Sequence, residues 1–202
     1  MAIHSILTRL DFENYLIRLY FGSETDLLKA CLDRAYLDFN RTLHGIHKIE
    51  NSSELYNRAV ILLKDEFDQL KLLLGKPISP AAFDEWHKNT LKELVSLYKS
   101  YHFHLFVGQS QKWINMSLKY IFTLGEQRIP GFQQAYPYCH VPFDNIILNQ
   151  LTKYGFPSPD CPWSRLDNYD DYFNSQKWIR QRFSIFPMDV EFLLWSGKEI
   201  DP

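Results

Sequence analysis

In Gly108-Gln109-Ser110-Gln111-Lys112-Trp113-Ile114-Asn115-Met116-Ser117-Leu118-Lys119-Tyr120-Ile121-Phe122-Thr123-Leu124 the polar residues after the opening turn fall into one narrow stripe. At about 100° per residue, Lys112, Asn115, Lys119 and Thr123 lie within roughly 80° of helical arc, and apolar residues from Trp113 to Leu124 cover most of the rest. A helix of this kind is buried on most sides, because a solvated surface helix carries a broad polar face. The thin strip with its two lysines therefore lines either a cleft or a groove between packed neighbours.

The flanking sequence also reads with helical period. Leu7 to Tyr20 has apolar residues at helical spacing and closes at Gly22; Thr25 to about Leu43 follows and stops near Gly45. Ser52 or Ser53 caps a third helix through Leu74, and Ser79-Pro80 opens a fourth that runs to about Tyr101, with proline in the favoured first position. Beyond Leu124, Gly125 to His140 is irregular or partly helical, Pro142-Phe143-Asp144 begins a helix to Tyr154, and Gly155 to Pro162 is a loop. Asp167 to Phe183 and Met188 to Trp195 complete the series. With no strand alternation or internal repeat, the expected fold is all-α with about eight helices, one domain over residues 1–202, with a candidate division into two lobes and a cleft near residues 75–105.

A chain of 202 residues buries a sizeable core without disulfides or metals. Aromatic residues make up 16% of it, so flat side chains dominate both the interior and any pocket. Three cysteines without CxxC spacing fit a reducing compartment and argue against a structural zinc site. The first residues lack a signal-peptide pattern, and no apolar run is long enough for a membrane span, so the expected location is the cytoplasm, with no membrane partner. A net charge of -2 means that any binding to nucleic acid needs a local positive patch.

A glycine-containing turn leading into a helix offers free N–H groups at the positive end of the dipole, which suit a phosphate. Lys112 sits beside that end, where dipole and partial burial disfavour its protonated form and make it a usable nucleophile. In Cys139-His140-Val141-Pro142-Phe143-Asp144 the proline directs the chain into a helix, placing Asp144 in its first turn either as a cap or as an acid with a chemical role.

Together these two segments resemble the helix-hairpin-helix DNA glycosylase superfamily, most closely its archaeal 8-oxoguanine glycosylase branch. The similarity rests on Val107 to Lys112 with the following WINMSLKY, and on His140 to Asp144 with the following NIILNQLT, about residues 106–151. Ser110 stands where family hairpins often carry a second glycine. The resemblance implies base-excision repair of an oxidised base, with Lys112 as the nucleophile that forms a Schiff base and Asp144 as its acidic partner. It further implies a DNA-contacting set of Gly108, Gln109, Ser110, Gln111, Asn115, Lys119 and His140, and no cofactor. Lys119 is then a phosphate contact or competing nucleophile, or simply a solvent-facing lysine; Trp113 belongs to the core.

Two other readings stand beside this one. The stripe could pack against another helix or chain in a non-catalytic interaction protein. Arg41-Thr42-Leu43-His44-Gly45-Ile46-His47 resembles the RxxxxxH pattern of HEPN ribonucleases, although Gly45 interrupts any helix between Arg41 and His47. His102, His104 and His140 lack the spacing of a metal site, so no metal is expected.

Overall fold

The computed structural model describes residues 6–23, 25–157 and 160–201. Among them are eight α-helices and no strand: α1 Arg9–Phe21, α2 Leu27–Phe39, α3 Ser52–Leu74, α4 Pro80–Ser100, α5 Val107–Leu124, α6 Asn145–Thr152, α7 Tyr169–Arg182 and α8 Pro187–Trp195. Short 3-10 turns occupy Asn40–Thr42, Ile46–Lys48, Gln133–Tyr138 and Trp163–Arg165. None of the described helices is long and apolar enough to cross a membrane.

Most helix ends follow local chemistry. Thr8 and Asp11 form a reciprocal capping box on α1, and Gly22 ends that helix with φ 74°, a left-handed conformation that favours glycine. The Ser79 side chain accepts the Ala82 N–H, with Pro80 at the first helical position of α4. Several boundaries differ from expectation, two of them for reasons visible in the backbone. α2 stops at Phe39 because the chain tightens into the Asn40–Thr42 turn before Gly45, and α3 is entered through Asn51 at φ 62°, so Ser52 and Ser53 lie inside the helix.

α5 is the axis of the fold. Every residue from Val107 to Ile121 is buried, as its narrow polar stripe requires, and α2, α4, α7 and the Trp163–Arg165 turn pack around it. Trp113 donates its indole N–H to the Leu32 carbonyl at 2.9 Å within a cluster of Tyr36, Phe39 and Tyr56. Residues 75–105 are mostly α4, whose Phe83, Trp86, Leu91, Leu94 and Tyr98 join the same buried cluster as α2, α5 and α8. α1 is different: it rests on α2, buries no residue, and leaves Leu10, Phe12, Tyr15, Leu16 and Leu19 more than half exposed.

Candidate active site

Lys112 and Lys119 lie seven residues apart on α5, about 20° apart around its axis, so both face the same side. That side is the floor of a cleft of about 590 Å³. α2 and the turn after it supply one wall through Arg34, Leu37, Asp38 and Arg41; Phe192 and Trp195 of α8, Tyr20 of α1 and Trp163 add aromatic surface.

Lys112 Nζ donates to Asp144 Oδ2 at 2.8 Å, with the lysine side chain 3% and the aspartate 19% exposed. The other oxygen of Asp144, Oδ1, accepts the Ile147 N–H at 2.8 Å. Asp144 is thus the N-cap of α6, one residue earlier than its first turn, and its carboxylate is aimed by the helix it caps. Two glutamines hold the approach to this cap. Gln111 exchanges hydrogen bonds with the backbone of Phe143, and Gln176 does the same with Val141, so residues 141–143 are gripped from α5 and α7 as a strand would be by its neighbours.

One helical turn pair along, Lys119 is not solvent-facing. Its Nζ donates to Glu191 Oε1 at 2.6 Å and lies 4.8 Å from the Trp195 ring centroid and 5.1 Å from that of Phe192. Glu191 is fully buried, and its Oε2 has no hydrogen-bond partner among the described residues. Burial raises its carboxyl above the ordinary range, against the opposing pull of the Lys119 ammonium.

The remaining residues expected to touch DNA do not line this cleft. Gly108, Gln109, Ser110 and Gln111 are buried, and the Gly108 N–H is taken by the Leu166 carbonyl at 2.8 Å. A Cβ at Gly108 would stand 1.7 Å from the Trp163 carbonyl oxygen, so this glycine serves close backbone packing rather than phosphate approach. Gln109 accepts the Phe106 N–H and donates to the Thr42 carbonyl, while the Ser110 hydroxyl turns back to Phe106. The expected phosphate cradle is therefore closed by the Trp163–Leu166 segment.

Asn115 and His140 belong to a buried network behind α5. The Tyr172 hydroxyl accepts from Asn115 Nδ2 at 2.8 Å and lies 2.9 Å from His140 Nδ1; His140 Nε2 is 2.8 Å from Asp84, which also receives Arg180. Asn115 Oδ1 is 3.1 Å from His87 Nε2, and His87 Nδ1 has no partner among the described residues. Burial lowers both histidines below their ordinary range. Burial alone would raise Asp84, yet hydrogen bonds from His140 and Arg180 hold it below the usual carboxylate range. Asn115 is drawn here because it projects about 60° to the side of Lys112 away from the cleft.

Arg41 and His47 sit on separate 3-10 turns with Gly45 between them at φ 88°, so they share no helix face. Among the described residues no three His, Cys, Asp or Glu side chains cluster as metal ligands would. No family model, curated protein or solved structure matches this chain.

Glu191, Arg34 and the α8 aromatics enter the site without any forewarning in the sequence pattern. Glu191 is one of 24 acidic residues and lies 72 positions from Lys119, a separation bridged only by the fold. What the cleft offers chemically is an amine in direct hydrogen-bond contact with a carboxylate, beside flat aromatic surface able to hold a planar group.

Proposed function

We propose that this protein is a DNA glycosylase with abasic-site lyase activity, acting on an oxidised base in base-excision repair. The observation that carries this reading is the 2.8 Å contact between Lys112 Nζ and Asp144 Oδ2 on the floor of an aromatic-lined cleft. The resemblance of the two segments supplying these residues to the glycosylase superfamily supports it.

A damaged nucleotide flipped from the duplex displaces water from the cleft. In the drier site the neutral pair gains over the ion pair, because both charges lose solvation, and a proton crosses from Nζ to Oδ2. The Nζ lone pair then forms a bond to C1′ as the glycosidic bond breaks; the base leaves with the bonding electrons and takes the proton from Asp144. The Asp144 carboxylate stabilises positive charge on the sugar, then receives a second proton from the attached nitrogen. Passing that proton to O4′ as the C1′–O4′ bond opens leaves a protonated Schiff base at C1′. Loss of a C2′ proton expels the 3′ phosphate and cleaves the strand.

The Lys119 end of the cleft takes the base. Phe192 and Trp195 provide stacking surface, and Lys119 provides a donor to a carbonyl of the oxidised ring. Cys31, Cys139 and Cys161 are free thiols, consistent with work in the cytoplasm.

Borohydride trapping tests the proposal. With duplexes containing an abasic site or an oxidised guanine, the protein forms a stable secondary-amine adduct that Lys112→Gln abolishes. Absence of adduct with every lesion sinks it and leaves a non-catalytic helical interaction protein, the alternative favoured by the exposed apolar residues of α1.

A further inference from the structure

The positive end of α5 is sealed by Trp163 and Leu166, so the phosphates of a bound strand must be met elsewhere. The net charge of -2 offers no general attraction. On the floor of the cleft both lysines are already neutralised, Lys112 by Asp144 and Lys119 by Glu191.

The wall formed by α2 is different. Arg34, Leu37 and Asp38 follow one another at helical spacing on α2, Arg41 lies on the Asn40–Thr42 turn after it, and all four line the cleft. Arg41 is exposed and has no ion-pair partner among the described residues. The Arg34 guanidinium lies 4.3 Å over the Tyr20 ring, which orients its plane. Among the described residues its one carboxylate contact is a long one, 3.7 Å from Nη2 to Asp38 Oδ1, and its buried Nε has no hydrogen-bond partner there. The other oxygen of Asp38 is occupied by the Tyr120 hydroxyl at 2.6 Å. Two guanidiniums seven residues apart, one without a counter-ion among the described residues and one weakly matched, line the same cleft of about 590 Å³ as the Lys112 amine.

We propose that Arg34 and Arg41 form a phosphodiester-binding subsite that holds the DNA strand on either side of the nucleotide presented to Lys112. The subsite rests on the reading of the cleft as a DNA-lesion site and replaces the closed helix entry as its phosphate contact. Bidentate recognition by arginine suits the paired oxygens of a phosphodiester, and each contact displaces condensed counterions from the strand.

The test measures binding without chemistry. Fluorescence anisotropy follows a duplex carrying a tetrahydrofuran abasic analogue, which has no aldehyde and forms no Schiff base, over a range of salt concentrations. Arg34→Gln and Arg41→Gln each weaken affinity roughly three- to tenfold and lower the slope of log Kd against log salt by about one, whereas the Arg34→Lys, Arg41→Lys double variant keeps the slope. An unchanged slope in the folded double glutamine variant overturns the subsite, even if borohydride trapping succeeds. An arginine-dependent slope without any trapped adduct leaves the subsite standing and removes the lyase. Failure of the unaltered protein to bind the duplex overturns both.

Discussion

Gln111 Nε2 donates to the Phe143 carbonyl and Gln111 Oε1 accepts the Phe143 N–H, both at 3.2 Å, so the residue before Lys112 is tied to the residue before Asp144. The same amide donates to the Gly108 carbonyl and accepts from Asn115 Nδ2. Gln111→Leu strands several of these buried groups at once and is expected to cost about 2–4 kcal/mol in urea unfolding. It also slows adduct formation more than it weakens binding of a lesion duplex, because it loosens the acid relative to the amine. Equal losses in both would show that Gln111 does nothing beyond folding.

Asp144→Asn separates the two roles of that residue. Asparagine still caps α6, so the helix stays, while the charge facing Lys112 disappears. The expected result is a stability loss of about 1–3 kcal/mol from the stranded ammonium and a fall of about a hundredfold in single-turnover adduct formation. Retention of the full rate would remove Asp144 from the chemistry.

The Lys119–Glu191 pair is more deeply buried, and breaking it is correspondingly worse. Glu191→Gln should cost about 3 kcal/mol by chemical denaturation, whereas Lys119→Met combined with Glu191→Leu should recover much of that loss, since the desolvation of both charges goes with them. The double variant is expected to retain trapping on abasic DNA while losing excision of an oxidised base, a difference visible by comparing the two substrates.

Acid should loosen the fold before any carboxylate of ordinary strength titrates. His87 and His140, packed with Tyr172, Tyr169, Asp84 and Arg180, have folded-state pKa values depressed by burial. Their contribution is complete above the unfolded value of about 6.5 and is lost as pH falls below it, because the unfolded chain takes up protons that the fold refuses. Stability should therefore fall as pH drops from about 7.5 to about 5.5. Glu191, whose carboxyl is raised, acts with the opposite sign in the part of this range that its titration reaches. Urea denaturation of the His87→Gln variant across these pH values should show a shallower slope than the unaltered protein.

The helices were legible wherever a local signal exists. Ser79-Pro80, Gly22 and the polar strip of α5 each state their own geometry; the strip left a cleft and a groove between neighbours open, and Lys112 and Lys119 line a cleft whereas Asn115 does not. The pairing of Asp144 with Lys112 was implied only by the family resemblance; the proline-led helix start by itself says that Asp144 opens a helix, and the 2.8 Å contact is a product of the fold. The closed end of α5 was not, because Trp163 and Leu166 reach Gly108 from over fifty positions away and no short pattern records that visit. Asn115 and His140 were misassigned for a related reason. A polar residue on a mostly apolar helix can face a cleft or a buried hydrogen-bond network, and only the identity of the neighbours, Tyr172 and His87, decides which.

Because each floor lysine carries its own counter-charge, the reacting bed of the cleft is close to electrically silent at long range. An approaching polyanion is steered by the rim and reaches a neutral interior only after capture. Ionic strength should therefore govern how fast the complex assembles while leaving the subsequent bond-making rate nearly untouched, so that encounter and turnover can be tuned by different helices.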